Sequence, residues 1–81
     1  MAELKLMRVG TNMEEATLVT WLKKPGEAFS DGEPLYQIET DKVTYDVEAP
    51  YPGELVEIKV NAGDVVPVGA VVAIVKERKG S

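Results

Sequence analysis

Apolar and polar residues alternate along much of the chain with the period of two that a half-buried strand requires. Val43, Tyr45 and Val47 interleave with Thr44, Asp46 and Glu48, and Glu3 to Val9 follows the same rule. Thr17 to Leu22 is β-branched and aromatic, a composition that suits a pleated sheet. Leu35 to Glu39, Glu54 to Val60 and Ala70 to Val75 complete the strand candidates, with Ala28-Phe29 and Val65-Val66 as short apolar steps. No window carries an i, i+3, i+4, i+7 stripe, so the pattern predicts essentially no helix.

The breaks are as informative as the runs. Gly10 to Ala16 loses the alternation and reads as a loop. Lys24-Pro25-Gly26-Glu27, Ser30-Asp31-Gly32-Glu33, Asn61-Ala62-Gly63-Asp64 and Pro67-Val68-Gly69 read as turns. Proline presets the first turn dihedral and glycine accepts the positive φ that follows. Ala49-Pro50-Tyr51-Pro52-Gly53 is a breaker, and neither proline belongs in a central strand. Thr40-Asp41-Lys42 is a polar break between two strands, which predicts a β-hairpin with Lys42 at its tip.

Shifted by 37 residues, the chain lies on itself: Leu18-Val19 falls on Leu55-Val56, Trp21 on Ile58, Phe29 on Val66 and Leu35 on Val72. Gly26-Glu27 falls on Gly63-Asp64 and Gly32 on Gly69, so turn glycines recur in phase with apolar positions. Each copy is too small to bury its own apolar face, and two packed together share one core. A small all-β sandwich or flattened barrel with internal pseudo-two-fold symmetry follows. Trp21, Phe29, Leu18, Val56, Ile58 and Val72 are assigned to its core. The shift carries Lys42 onto Lys79. The symmetry thus predicts Lys42 at one end of the barrel and the C-terminal tail near the other.

Composition then limits the chemistry. With 81 residues the chain has room for one small domain. It has no Cys and no His, which removes disulfides, thiolate nucleophiles and the commonest general base and metal ligand. Its formal charge of −5 disfavours a nucleic-acid partner, whose phosphates need a basic face. No segment is long or apolar enough to span a bilayer, and no secretory signal is visible. No metal site and no catalytic residues are expected. Lys42 taken alone is one of nine Lys plus Arg, and a solvated turn lysine is its simplest reading. Its placement in a repeated barrel gives it a second one, as a group presented to other proteins.

Glu39-Thr40-Asp41-Lys42-Val43, at the tip of a hairpin in a two-fold repeated β domain, resembles the attachment motif of lipoyl domains. The likeness runs from about Glu3 to about Lys76 and includes Glu14-Glu15-Ala16-Thr17, Trp21-Leu22-Lys23-Lys24-Pro25-Gly26, Ala49-Pro50, Gly53 and Gly63-Asp64. Gly26 lies 16 residues before the lysine and Glu39 three before it. These features are similar to lipoyl domains of the acyltransferase components of 2-oxo acid dehydrogenase complexes. Biotin carrier domains share the hairpin lysine but normally set it between two methionines. Asp41 and Val43 flank it here, which favours lipoate. A biotin carrier and an unmodified barrel-sandwich interaction module stand as the alternatives.

The resemblance implies a barrel-sandwich hybrid of two four-stranded antiparallel sheets. The lipoyl domain would cover residues 1–76, with 77–81 as a solvated tail or the start of a linker. It implies lipoate in amide linkage to Lys42 Nζ as the cofactor, forming a swinging arm. A lipoate ligase or lipoyl transferase would attach it, and Glu39, Asp41, Val43 and Gly26 would be read during attachment. A thiamin-diphosphate-dependent decarboxylase would load the arm, the acyltransferase core would take the acyl group to coenzyme A, and a flavin-dependent dihydrolipoyl dehydrogenase would reoxidise it. The loop Gly10, Thr11, Asn12, Met13, Glu14 and Glu15 would help choose the decarboxylase. The domain itself would be a non-catalytic carrier within a multidomain acyltransferase, monomeric in isolation and located in the cytoplasm or the mitochondrial matrix. Glu15-Ala16-Thr17 with Lys23 to Gly26 and Val43 resembles 2-oxoglutarate dehydrogenase domains. Met13 before the acidic pair resembles pyruvate or acetoin dehydrogenase domains, and the residues leave the oxo acid open.

Overall fold

Eight strands account for most of the chain in the computed structural model, which describes residues 1–7, 14–40 and 43–78. They are β1 (Ala2–Lys5), β2 (Glu15–Trp21), β3 (Ala28–Phe29), β4 (Pro34–Thr40), β5 (Val43–Glu48), β6 (Gly53–Ile58), β7 (Val65–Pro67) and β8 (Val71–Glu77). No described residue is helical. One antiparallel sheet has the order β1-β8-β6-β3 and the other β5-β4-β2-β7. This is the expected barrel-sandwich of two four-stranded sheets.

The two sheets are the same object built twice. Adding 37 to β2, β3 and β4 gives β6, β7 and β8, and the register pairs map one onto another. Thr17 opposite Glu39 becomes Glu54 opposite Lys76, and Trp21 opposite Tyr36 becomes Ile58 opposite Ala73. The edge strands correspond too: Ile38 opposite Tyr45 matches Val75 opposite Ala2. Each copy gives its short strand to the other copy's sheet, because β3 pairs with β6 and β7 with β2. The halves therefore share one core and neither is complete alone.

The four glycine turns hold this exchange together. Gly26, Gly32, Gly63 and Gly69 all have positive φ, between 82° and 96°, a region that costs a side-chain-bearing residue energy. Gly26 N donates to Leu55 O and its counterpart Gly63 N to Leu18 O, each at 2.7 Å. In return Leu55 N donates to Glu27 O and Leu18 N to Asp64 O. The turn acids close their own turns: Glu27 Oε1 accepts from Lys24 N at 2.6 Å and Asp64 Oδ2 from Asn61 N at 2.8 Å.

The core contains Leu18, Phe29, Leu35, Tyr36, Ile38, Leu55, Val66, Val72, Ala73 and Val75, with Leu4, Leu6, Ala16 and Ala49 around them. The expected core members Leu18, Phe29 and Val72 are buried, while Trp21 and Ile58 are half-buried against it. Val56 is a correction: it is 37% exposed, and its neighbour Leu55 is fully buried. The cause is a register shift between Leu55 and Glu57, a bulge that sets Val56 outside the ladder. Val19 stands in the equivalent bulge of β2 and is 40% exposed.

Element ends differ in detail from the pattern. β1 stops at Lys5, and the expected continuation through Arg8 and Val9 lies outside the described residues. β2 begins at Glu15, so Glu15 and Ala16 belong to a strand rather than to the loop; Ala16 opposite Val66 is buried. Pro67 ends β7 on a sheet edge, where its missing N–H costs nothing. β8 continues through Lys76 and Glu77, with Glu77 opposite Gly53, one residue past the expected end of the domain at 76.

Candidate functional site

β4 and β5 run antiparallel up to Thr40 opposite Val43. Residues 41 and 42 join them in the sequence, and Asp41 and Lys42 themselves lie outside the described residues. The strands that lead to them are described. Glu39 and Val43, two of the expected recognition residues, flank this end and are both exposed, Val43 by 48%. Glu39 faces outward between Thr17 on β2 and Thr44 on β5. At the equivalent place in the other sheet stands Lys76, opposite Glu54. The four strands of the hairpin sheet contain Glu15, Glu39, Asp46 and Glu48 and no Lys or Arg.

Chain connectivity fixes which elements share this end. Thr17 is opposite Glu39, so the start of β2 lies beside the hairpin end. β7 pairs with Glu15 to Thr17 and is at that end as well. Gly69 N donates to Leu6 O and Leu6 N to Ala70 O, which ties the end of the first segment there. Val68 N donates to Glu14 O at 2.9 Å. The chain therefore leaves at Met7 and re-enters at Glu14 beside the hairpin end. Of the expected partner loop, Gly10, Thr11, Asn12 and Met13 lie outside the described residues, and Glu14 and Glu15 are exposed at its return.

Gly26 belongs to the other end. Its N–H bonds Leu55 O, and Leu55 is opposite Val75, two residues before Glu77 ends β8. The structure brings Glu39 and Val43 together but not Gly26. In its place the symmetry puts the Asn61–Asp64 turn beside the hairpin, bonded to Leu18, which is opposite Ile38. The turn itself is legible in the sequence, but its place beside the hairpin follows only when the repeat is applied to the Gly26 turn. The far end also holds the Lys23–Glu33 ion pair at 2.8 Å. Its hydrogen bond raises the Lys23 ammonium and lowers the Glu33 carboxyl from their ordinary values.

Chemically, the described residues of the hairpin end form no catalytic cluster. Among the described residues no three acidic side chains gather as a metal site would need. What the end offers is an exposed strand pair with acidic and apolar flanks, which suits a covalently carried group that must be handed to other proteins.

Comparison with known proteins agrees with this geometry. The biotin/lipoyl family of biotin-requiring enzymes matches residues 2–75. The solution structure of the lipoyl domain of the Azotobacter vinelandii 2-oxoglutarate dehydrogenase complex superposes with a TM-score of 0.73, at 36% identity and over 100% of both chains. The chain belongs to the biotin/lipoyl family, as a lipoyl domain. Lipoyl domains carry lipoate covalently on a lysine and are carrier modules, not catalytic units. A Bacillus subtilis dihydrolipoyllysine-residue succinyltransferase component of the 2-oxoglutarate dehydrogenase complex is 38% identical over 99% of this lipoyl domain and 19% of its own length. The corresponding Bartonella vinsonii component is 43% identical over 91% of the domain and 18% of its own length. A Mycoplasma pneumoniae dihydrolipoyllysine-residue acetyltransferase component of the pyruvate dehydrogenase complex is 38% identical over 96% of the domain and 19% of its own length. The domain thus spans about a fifth of the length of the curated relatives it matches. A single-chain long-chain acyl-CoA carboxylase shares the fold, with a TM-score of 0.79 at 20% identity.

Proposed function

We propose that Lys42 is the attachment residue and that the domain works as the swinging-arm carrier of a 2-oxo acid dehydrogenase complex. The observation that supports this most directly is the β4–β5 pair, whose last described residues, Thr40 and Val43, flank residues 41 and 42 in the sequence and include the exposed Val43. Lysine suits the task because it is a long flexible stem ending in a primary amine, with an ordinary pKa of about 10.4. The amine must lose its proton before acylation, so deprotonation belongs to the ligase site. Amide formation removes one positive charge and takes the formal charge from −5 to −6.

The flanks fit the group. Glu39 and Val43 are exposed beside the attachment point, and we assign to them, with Asp41, the contacts that a lipoate ligase or lipoyl transferase reads. Gly26, at the other end, would act on attachment only by shaping the fold. Lipoate, once attached, supplies a dithiolane that accepts an acyl group together with electrons. The domain contributes reach and recognition. Tethering makes each encounter effectively intramolecular, so local concentration stands in for affinity.

The partners in this reading are a thiamin-diphosphate-dependent decarboxylase, an acyltransferase core and a dihydrolipoyl dehydrogenase. Gly10 to Glu15 is the segment we assign to choosing the decarboxylase, since Leu6 before it and Glu14 at its return are hydrogen-bonded beside the hairpin end. The relatives serve 2-oxoglutarate and pyruvate complexes alike, so the substrate class is a 2-oxo acid. The site of action is the compartment that houses such complexes, the bacterial cytoplasm or the mitochondrial matrix.

The deciding experiment is intact mass after incubation with lipoate ligase, ATP and lipoic acid. The expected result is a single lipoyl-sized increment that disappears in Lys42→Ala. No increment on folded protein, or one that survives in Lys42→Ala, defeats the assignment.

A further inference from the structure

The hairpin that leads to residues 41 and 42 is held differently from its symmetry mate. In β4–β5, Gln37 is directly opposite Asp46, and Gln37 Nε2 donates to Asp46 Oδ1 at 2.9 Å. The corresponding pair in the other sheet is Ile74 opposite Glu3, where isoleucine has no polar group to offer. The surrounding register matches pair for pair in the two sheets. The fold can therefore be built without this bond, because the β1–β8 copy is.

The two edge strands also differ in how firmly the core holds them. β1 buries Leu4, and the chain just beyond it buries Leu6. No residue of β5 is fully buried: Tyr45 and Val47 are half-buried and Val43, Thr44, Asp46 and Glu48 are exposed. Burial of one face is what normally fixes strand register, and a slip of one residue turns every side chain to the opposite face. Both strands are paired on one side only and across a bulge, for β5 between Pro34 and Tyr36, so burial is what separates them. Slippage in β5 matters more than in β1, since it would reframe the connection that contains Lys42.

We propose that Gln37 and Asp46 are positioning residues for modification of Lys42: their side-chain bond fixes the register of a weakly buried edge strand and so holds residues 41 and 42 in the frame a lipoylating enzyme accepts. This rests on the reading of Lys42 as the attachment residue. Asp46 is four residues beyond Lys42 and Gln37 five before it, roughly 13 to 17 Å along the strands. They act through the backbone.

A partly populated competent state weakens apparent binding by the fraction populated and leaves the bound step alone. The test is the steady-state rate of lipoate ligase on the folded domain, followed by intact mass, together with hydrogen exchange of the β5 amides. Gln37→Val, which keeps a good strand former but removes the donor, is expected to raise KM by up to about threefold with kcat unchanged, the lower range for loss of one hydrogen bond, and to speed exchange in β5. Asp46→Asn keeps an acceptor and is expected to behave as the unaltered domain. The exchanged pair, Gln37→Asp with Asp46→Gln, restores the bond in reverse and is expected to recover both KM and protection. An unchanged KM in Gln37→Val overturns the proposal. So does an exchanged pair that regains protection while KM stays high, since the ligase would then be reading the side chains themselves. Failure of the unaltered domain to accept lipoate defeats the Lys42 reading and is distinguished by needing no variant.

Discussion

Two residues show how closely the interior is fitted. Tyr36 is fully buried, its ring centroid 4.8 Å from that of Trp21. The Trp21 indole N–H donates to Val60 O at 2.9 Å, but the Tyr36 hydroxyl finds no partner among the described residues. Burial pushes the Tyr36 hydroxyl up to about 12 from its ordinary 10.0. The folded state therefore keeps a proton that the unfolded chain releases first. Stability from this group is complete below pH 10, then falls as pH rises toward about 12, by on the order of 2 to 3 kcal/mol at the end of that window. Tyr36→Phe removes an unpaired buried hydroxyl and is expected to be neutral or stabilising by up to about 1 kcal/mol at pH 7. It should also flatten the alkaline decline. Denaturant midpoints at pH 7 and across pH 9 to 12, compared between the two proteins, check both parts.

At the scale of elements, the symmetry supplies its own mutagenesis. Gly53 is opposite Phe29, and its equivalent Ala16 is opposite Val66. A Cβ on Gly53 would come within 2.7 Å of Lys76 O and 2.9 Å of Phe29 Cζ. Large with small on one sheet balances medium with medium on the other. Gly53→Ala is expected to destabilise by roughly 1–3 kcal/mol through overpacking, and Phe29→Val by a similar amount through the space it leaves. Combined, they recreate the Ala16–Val66 pair and relieve the Phe29 contact while the Lys76 O contact remains, so the double variant should be better than the sum of the singles by up to about 1 kcal/mol. A strictly additive cycle in urea denaturation would refute this account. The repeat was legible in the sequence because the turn glycines recur in phase with apolar positions. The bulges were not. Leu18 and Trp21 are three residues apart and cannot both face inward in a regular strand. The register shift between Leu18 and Thr20 reconciles them and turns Val19 out. The converse occurs between Pro34 and Tyr36, where the shift lets consecutive Leu35 and Tyr36 both bury fully. Period-two reading has no symbol for an inserted residue, which is why Val56 was placed inside in place of Leu55. Similarly, the β4–β5 pair was legible from the polar break between its strands, whereas the Gln37–Asp46 bond depends on cross-strand register and is invisible along the chain.

For the molecule as a whole, the symmetry produces two ends of one design that carry different residues. The barrel is elongated, 38 Å along its main axis against 21 and 18 Å across. The Gly63 turn is bonded to Leu18 beside the hairpin end, and the Gly26 turn to Leu55 near the close of β8. Both glycines have nearly the same φ, 96° and 94°, and neither would meet a neighbour with an added Cβ. Alanine at either should therefore cost the same, roughly 1–2 kcal/mol of backbone strain. The expected difference is in attachment. Gly63→Ala perturbs the turn beside Glu39 and Val43 and should slow lipoylation beyond what its stability loss accounts for. Gly26→Ala strains the distant turn and should leave the ligase rate on folded protein unchanged. Measuring both rates well below each variant's melting temperature separates recognition from folding. A selective defect in Gly26→Ala would mean that the lipoylating enzyme reads the far end of the barrel, and that the reach of its footprint, not the hairpin alone, selects the lysine.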